Sequence, residues 1–281
     1  MQNRKLIYSG LLVGFILVII FGFIIFFNSQ KLTVTFLDVG QGDSILISQG
    51  SNQVLIDGGP SGQLLIEKLG KYLPFWDRKI EAVIVTHPDQ DHIEGLVAVL
   101  RDYKVGFVME NLRSATSRVY QNLKSEIENK EINKINAEKG TLIKFSNGAE
   151  LEIIYASKDE SPKDSNSKSI VARLVFGDNS FLLTGDLPDS EESKVFENLK
   201  AKVLKVSHHG SKNATTENFL DKVKSEIAII SAGKNNRYGH PAEEALERIK
   251  KFGMQILRTD EMGDIQFACE KLEEDCQLMG N

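Results

Sequence analysis

Residues 86–92 read Thr-His-Pro-Asp-Gln-Asp-His and put two imidazoles and two carboxylates, His87, Asp89, Asp91 and His92, into six positions. The apolar, β-branched run 80–85 before them predicts a buried strand, and residues 93–100 after them predict a helix with one apolar face. The cluster therefore falls at the C-terminal end of a strand, where α/β proteins bind ligands. Two acids and two imidazoles on one turn repel or stand idle unless a cation joins them, and a divalent metal supplies that reason. The alternative is a solvated polar loop. His-x-Asp-x-Asp-His directly after an apolar strand speaks against it.

All five histidines, His87, His92, His208, His209 and His240, fall in loops that follow predicted strands. Asp57 and Asp186 occupy matching positions after strands of their own. Strands that converge would bring these loops to one edge of the sheets, where they can hold two cations with a carboxylate between them. Such a centre lowers the pKa of water to about 7, and two metals roughly 3.5–4 Å apart clamp both oxygens of a displaced ester. No nucleophilic serine or cysteine is then required, and Ser44 and Ser207 read as structural. Gly40-Gln41-Gly42 is too short for a phosphate loop and lacks the following lysine.

The chain has 281 residues, 41% hydrophobic and 26% charged, which suits a globular body with a sizeable core. A net charge of −5 provides no basic field for nucleic acid, so a polyanion would be held locally, by metal and a few cations. Residues 6–27 form an uncharged apolar run long enough to cross a bilayer, which takes about 20 residues. Arg4 and Lys5 before it favour a short cytoplasmic N-terminus over residues 1–5 and a body outside the cytoplasm. The run exceeds a signal-peptide core and no Ala-x-Ala site follows, so an uncleaved single-pass anchor is expected. Cys269 and Cys276 cannot make a zinc site alone; a disulfide and two idle thiols both stay open.

Three short strands follow the anchor, at 32–38, 44–48 and 54–56, and imply a mixed or antiparallel start to the sheet. Strand and helix patterns then alternate. Helices are expected over 63–72, 114–130, 191–199, 216–224 and 242–252, and hairpins about residues 146–148 and 177–179.

Taken with these elements, His87-x-Asp89-x-Asp91-His92 resembles the His-x-His-x-Asp-His signature of metallo-β-lactamase-fold hydrolases, with Asp89 in place of the second histidine. Leu55-Ile56-Asp57-Gly58-Gly59, Leu182-Leu183-Thr184-Gly185-Asp186-Leu187 and Val206-Ser207-His208-His209-Gly210-Ser211 continue the correspondence in order. Phe36-Leu37-Asp38-Val39-Gly40-Gln41-Gly42-Asp43 and Asn235-Asn236-Arg237-Tyr238-Gly239-His240-Pro241 are similar to the C-terminal hydrolase domain of ComEC-type DNA-uptake proteins. The resemblance covers residues 32–268 and leaves 269–281 as a tail. It implies an α/β fold, a four-layer αββα sandwich, here preceded by one transmembrane helix, with two divalent metal ions, zinc or manganese, in the groove between the sheets. By position, His87 and Asp89 would bind one metal, and Asp91 and His92 the other. Asp186 would bridge, His208 would complete the second site, and Asp57 would support the ligand loop. His209 or His240 would contact the scissile phosphate or protonate the leaving oxygen. Lys212 and Arg237 are candidate phosphate contacts.

Two departures bear on this. No histidine lies between 92 and 186, where many members carry a further ligand; Asn166, Ser167 or Ser169 stands in that region, which makes the first site richer in oxygen. A full ComEC-type protein also has a multi-helix channel, whereas this chain has one hydrophobic segment, so a transport role does not carry over. The resulting expectation is a membrane-anchored, metal-dependent phosphodiesterase or nuclease that acts outside the cytoplasm, with single-stranded DNA among its substrates. The rivals are hydrolysis of a cell-envelope ester or a β-lactam, and a degenerate module that binds a nucleotide or a protein.

Overall fold

The computed structural model describes residues 8, 10–19, 22, 31–111, 116–159, 164–195 and 199–280. Of the apolar run 6–27, residues 10–19 are helical and exposed, and most of the rest lies outside the described residues. Among the described residues, no helix is long and apolar enough to cross a membrane.

The body is built from two mixed sheets. Strands β1 (Leu32–Phe36), β2 (Ile45–Gln49), β3 (Asn52–Ile56), β4 (Lys79–Val85), β5 (Lys104–Glu110), β6 (Asn133–Asn136), β14 (Ile265–Cys269) and β15 (Gln277–Leu278) form the first, in the order β15-β14-β1-β2-β3-β4-β5-β6. The second comprises β7 (Leu142–Lys144), β8 (Glu150–Tyr155), β9 (Val171–Phe176), β10 (Asn179–Leu183), β11 (Val203–Lys205), β12 (Ile227–Ile230) and β13 (Gln255–Arg258), ordered β13-β12-β11-β10-β9-β8-β7.

Alternation along each strand sorts apolar side chains between two layers. Val34, Phe36, Ile45, Ile47, Val54, Ile56, Ala82 and Ile84 face the space between the sheets. There Phe267 meets Phe36 and Phe181 edge to face, with ring centroids 6.4 and 5.5 Å apart. On the outer face of the first sheet, Leu46, Leu55, Val83 and Val85 pack under the Gly62–Tyr72, Gln90–Asp102 and Arg118–Asn129 helices. A third apolar layer joins the second sheet to the Glu217–Val223 and Glu243–Lys251 helices. Three apolar layers separate four structural ones, which is the αββα sandwich that the resemblance implied.

The expected helix over 114–130 is shorter, Arg118–Asn129, and is more than a solvated face, because Tyr120, Leu123 and Ile127 are buried. Ser117 caps it by accepting from the Tyr120 N–H. Of the expected helix over 191–199, the described residues form a single turn, Asp189–Glu192, and 196–198 lie outside them. Residues 269–280 fold back: β15 pairs with β14, and Cys269 is disulfide-bonded to Cys276.

Candidate metal centre

β3 and β4 run parallel, as do β10 and β11, so Asp57, His87, Asp186, His208 and His209 all emerge at one rim of the sandwich. β4 delivers His87 directly. Asp89 then starts the Gln90–Asp102 helix as its N-cap, which sets Asp91 and His92 on the first turn. After β11, His208 (φ 50°) and His209 (φ 53°) both adopt the left-handed conformation. That region costs a non-glycine residue roughly 1–2 kcal/mol. Strain of this kind persists where the surrounding structure holds a side chain for use.

The side chains converge on one atom. Asp186 Oδ2 lies 3.2 Å from His209 Nε2, 3.3 Å from His92 Nε2, 3.9 Å from His87 Nε2 and 4.0 Å from His208 Nε2. His209 Nε2 is also 3.4 Å from Asp91 Oδ2, and His87 Nε2 is 3.9 Å from Asp89 Oδ2. Donors about 2.1 Å from a tetrahedral ion stand roughly 3.4 Å from one another. The contacts of Asp186 with His92 and His209, and of His209 with Asp91, match that spacing, and one donor atom each of Asp91, His92 and His209 lies within 4.8 Å of the others. The His87–Asp89–Asp186 group is wider and has fewer nitrogens, and it shares the same Asp186 oxygen.

Buried polar atoms normally have hydrogen-bond partners. Here the Nε2 atoms of His87, His92 and His209 and Oδ1 of Asp186 are buried without one. Three imidazole nitrogens aimed at one carboxylate with no bond made is a donor set that fits cations. The other ring nitrogens are accounted for. His92 Nδ1 lies 2.8 Å from Asp57 Oδ2, and His209 Nδ1 lies 2.9 Å from the Ser231 carbonyl. Asp57 in turn accepts from the Thr86 N–H at 2.9 Å and from its hydroxyl at 2.6 Å. Hydrogen bonds of this kind orient a ligating imidazole.

The electrostatics separate the three enclosed rings. Burial, reinforced by the charge of His92, pulls the His87 pKa down to about 4, which keeps that ring neutral and able to ligate. Burial opposes protonation of His92 and His209 too, but the Asp186 carboxylate overcomes it and holds both well above the ordinary value. Burial likewise works to raise Asp186, and His209 and His92 pull it well below the carboxylate range. Burial raises Asp89.

His208 and His209 are placed differently about Asp186. His209 is the enclosed member, with its side chain 2% exposed and its Nε2 3.2 Å from Asp186 Oδ2. His208, expected to complete the second site, is 30% exposed and the farthest of the four from Asp186. His240 is half-buried, with its ring 5.5 Å from that of His208 and 6.4 Å from that of His209. Asn236 Oδ1 accepts from the His240 N–H at 3.1 Å and holds it there. Arg237 is exposed and donates to the Tyr238 hydroxyl at 2.7 Å; its charge is felt at Asp91. Lys212 is exposed. Where a further histidine ligand was missing, Asn166 Nδ2 stands 3.5 Å from His208, and the Ser169 hydroxyl accepts from the Asp186 N–H at 3.1 Å.

Two residues at the centre escaped the sequence reading. Lys205 on β11 is fully buried, with Nζ paired to Asp43 Oδ2, 3.2 Å from the Gly185 carbonyl and 3.7 Å from Asp186 Oδ1. Asp43 Oδ1 reaches to 3.4 Å from His209 Nδ1. The ammonium thus sits behind Asp186, on the side away from the imidazoles. Gly42 brings Asp43 there: at φ +136° it lies so close to the metal loop that a Cβ would overlap the Asp91 carbonyl.

The profile of the metallo-beta-lactamase superfamily matches residues 37–234, more than half of the chain, and the chain belongs to that superfamily. Its relatives are ComEC-type competence proteins. It is 34% identical over 266 residues to ComE operon protein 3 of Bacillus subtilis (85% of this chain, 33% of that protein). It is 29% identical over 248 residues to competence protein ComA of Neisseria gonorrhoeae (85% and 32%). The chain thus spans about a third of the length of these relatives. Among solved structures, its fold is similar to the metallo-beta-lactamase fold protein YhfI of Bacillus subtilis (TM-score 0.57, 12% identity, 85% of this chain and 99% of that one). It is also similar to a diphosphatase of the PhnP family (TM-score 0.51, 17% identity, 85% and 98%). Members of the superfamily are metal-dependent hydrolases, and this chain carries the fold and a donor set for divalent metal.

Proposed function

We propose that this chain is a membrane-anchored, metal-dependent phosphodiesterase that cleaves nucleic-acid strands outside the cytoplasm. The observation that carries the reading is Asp186 Oδ2, which faces four imidazole nitrogens in two groups, three of those nitrogens buried and without hydrogen bonds. Zinc or manganese held there supplies Lewis acidity and a water-derived nucleophile at neutral pH. His92, His209, Asp91 and Asp186 would hold one ion, and His87 and Asp89, with Asp186, would hold the other. Lys205 keeps the second oxygen of Asp186 turned inward. With His209 among the ligands, His240 and the more open His208 line the approach to the centre. His240 contacts the scissile phosphate; burial and the neighbouring His208 and His209 lower its pKa, which favours the neutral ring there. Arg237, close to Asp91, meets a substrate phosphate.

The apolar run 6–27 supports the anchor, and the basic residues before it support a body outside the cytoplasm. The Cys269–Cys276 disulfide supports the same placement, since disulfides persist in oxidising compartments. The relatives named as competence proteins favour a nucleic-acid substrate.

The test is turnover by the metal-loaded chain of single-stranded DNA, a nitrophenyl phosphodiester and the β-lactam nitrocefin, side by side. Hydrolysis of both phosphodiesters and not of nitrocefin is expected. Turnover of nitrocefin alone, or of nothing with either metal, rejects the reading.

A further inference from the structure

The strands that carry the metal loops to one end of the sandwich also define its other end. β1 is antiparallel to β2, β2 is antiparallel to β3, and β3 is parallel to β4. Leu32 and Lys79, the first residues of β1 and β4, therefore share the edge opposite the metal centre. The loop that leads into β4 lies on this edge. Within it Phe75 is 83% exposed and Trp76 73%. Among the described residues these are the two most exposed large hydrophobic side chains. Their rings pack edge to face with centroids 4.7 Å apart.

The loop that presents them is held. The Asp77 N–H donates to the Pro74 carbonyl at 2.8 Å, and Asp77 Oδ2 accepts from Gln53 Nε2 at 3.2 Å. The Arg78 guanidinium lies 5.2 Å over the Tyr103 ring. A single exposed apolar side chain needs no explanation. Two adjacent aromatics on a fastened turn mark a surface meant to be covered.

The chain itself identifies the cover. Residues 28–31 alone separate the apolar run from β1. Five residue steps span at most about 18 Å, so the edge where β1 begins cannot stand far from the bilayer. β1 and β4 are three strand spacings apart, about 14 Å. We propose that this edge, with Phe75 and Trp76 at its tip, rests in the interfacial layer of the bilayer that residues 6–27 enter, and that the metal centre faces away from the membrane. The inference rests on the anchor reading above.

Tryptophan suits that layer, where one end of its ring is apolar and the other hydrated. The tip of the contact is hydrophobic, and two of the cations on this edge have acidic neighbours. Lys31 pairs with Glu270 at 3.9 Å and Lys79 with Glu81 at 2.8 Å. β4 has seven residues. At about 3.3 Å each, it lifts the metal centre roughly 23 Å above the lipid surface, open to substrate from solution.

Trp76 is the chain's one tryptophan, so intrinsic fluorescence reports this site alone. The full chain is reconstituted into phosphatidylcholine vesicles whose acyl chains are brominated either near the headgroup or near the bilayer centre. The expected result is blue-shifted emission, quenched at least about twofold by the shallow bromine, less by the deep bromine, and shielded from acrylamide. Retention on the vesicles through an alkaline wash, with emission that stays solvent-like and unquenched, overturns the inference and leaves the anchor standing. Release by the wash overturns both. Shielding that rises with protein concentration in detergent, without bromine quenching, assigns the face to a second copy and also overturns it.

Discussion

Asp186 and Asp264 are both buried carboxylates ringed by donors, and they are used in opposite ways. Asp264 accepts from Lys68 Nζ at 2.7 Å, Lys71 Nζ at 3.0 Å, the Tyr72 hydroxyl at 2.9 Å and the Asp38 N–H at 2.9 Å. Both its oxygens are satisfied, and the cluster ties the turn before β14 to the Gly62–Tyr72 helix. Asp186 has one oxygen without a hydrogen bond, and its other faces imidazole nitrogens that are themselves without partners. A satisfied polar cluster contributes to the fold, whereas an unsatisfied one is stable only when something else binds. Burial alone does not separate the two; the accounting of hydrogen bonds does.

The contrast predicts that the two residues fail differently. Asp186→Asn should lower phosphodiester turnover about a thousandfold or more, because it weakens the oxygen shared by both metal positions. Thermal stability of the metal-free chain should fall as well, because the variant takes from His92 and His209 the carboxylate that offsets their burial. Kinetics with a nitrophenyl phosphodiester and a melting curve check the two halves. A smaller but still large effect is expected at the cation behind Asp186. Lys205→Met removes the buried cation paired with Asp43 and leaves it only His209, which should cost about 3 kcal/mol of stability. In the folded fraction it should weaken metal binding roughly 10–100-fold, the range for partners that orient ligands. Chemical denaturation and calorimetric metal titration read these separately.

The paired histidines sharpen the comparison further. His209→Ala should release one metal at concentrations where the native chain holds two. His208→Ala should keep both metals and lose turnover by about tenfold to a hundredfold. Equal metal loss in the two variants would mean that the outlying ring ligates as well.

The smallest effect belongs to Asp264. Asp264→Asn should leave turnover intact and destabilise the chain by about 2 kcal/mol at neutral pH. Burial works to raise the Asp264 pKa, but Lys68, the Asp38 N–H, Lys71 and Tyr72 outweigh it and hold it below the usual range. Its contribution is therefore present above the unfolded value near about 3.9 and is lost as pH falls through the folded one. Denaturation midpoints of the native chain and the variant should converge in that acid range.

Much of the centre was legible because its parts sit in loops that follow apolar strands. His87, Asp91, His92, Asp57 and Asp186 could each be placed by finding the strand before them. Which of His208 and His209 turns inward could not be read, since it depends on two consecutive left-handed residues. Lys205 was missed because a lysine in a short strand reads as a solvent-facing residue. Only the sheet order shows β11 lying between β10 and β12. Asp43 looked like a turn residue, and its role depends on Gly42 meeting the metal loop. β6, Asn-Lys-Ile-Asn, has no apolar pattern and exists because it pairs with β5. Phe75 and Trp76 gave no periodic signal, because their meaning lies in their exposure.

Metal stoichiometry tests the central claim most directly. The metal-stripped full chain is titrated with Mn²⁺ or Zn²⁺, and bound metal is measured by elemental analysis beside the Asp186→Asn variant. Two ions per native chain and no more than one per variant are predicted. Less than one ion per native chain at saturating metal, or a variant that binds as the native chain does, would contradict a shared centre on Asp186.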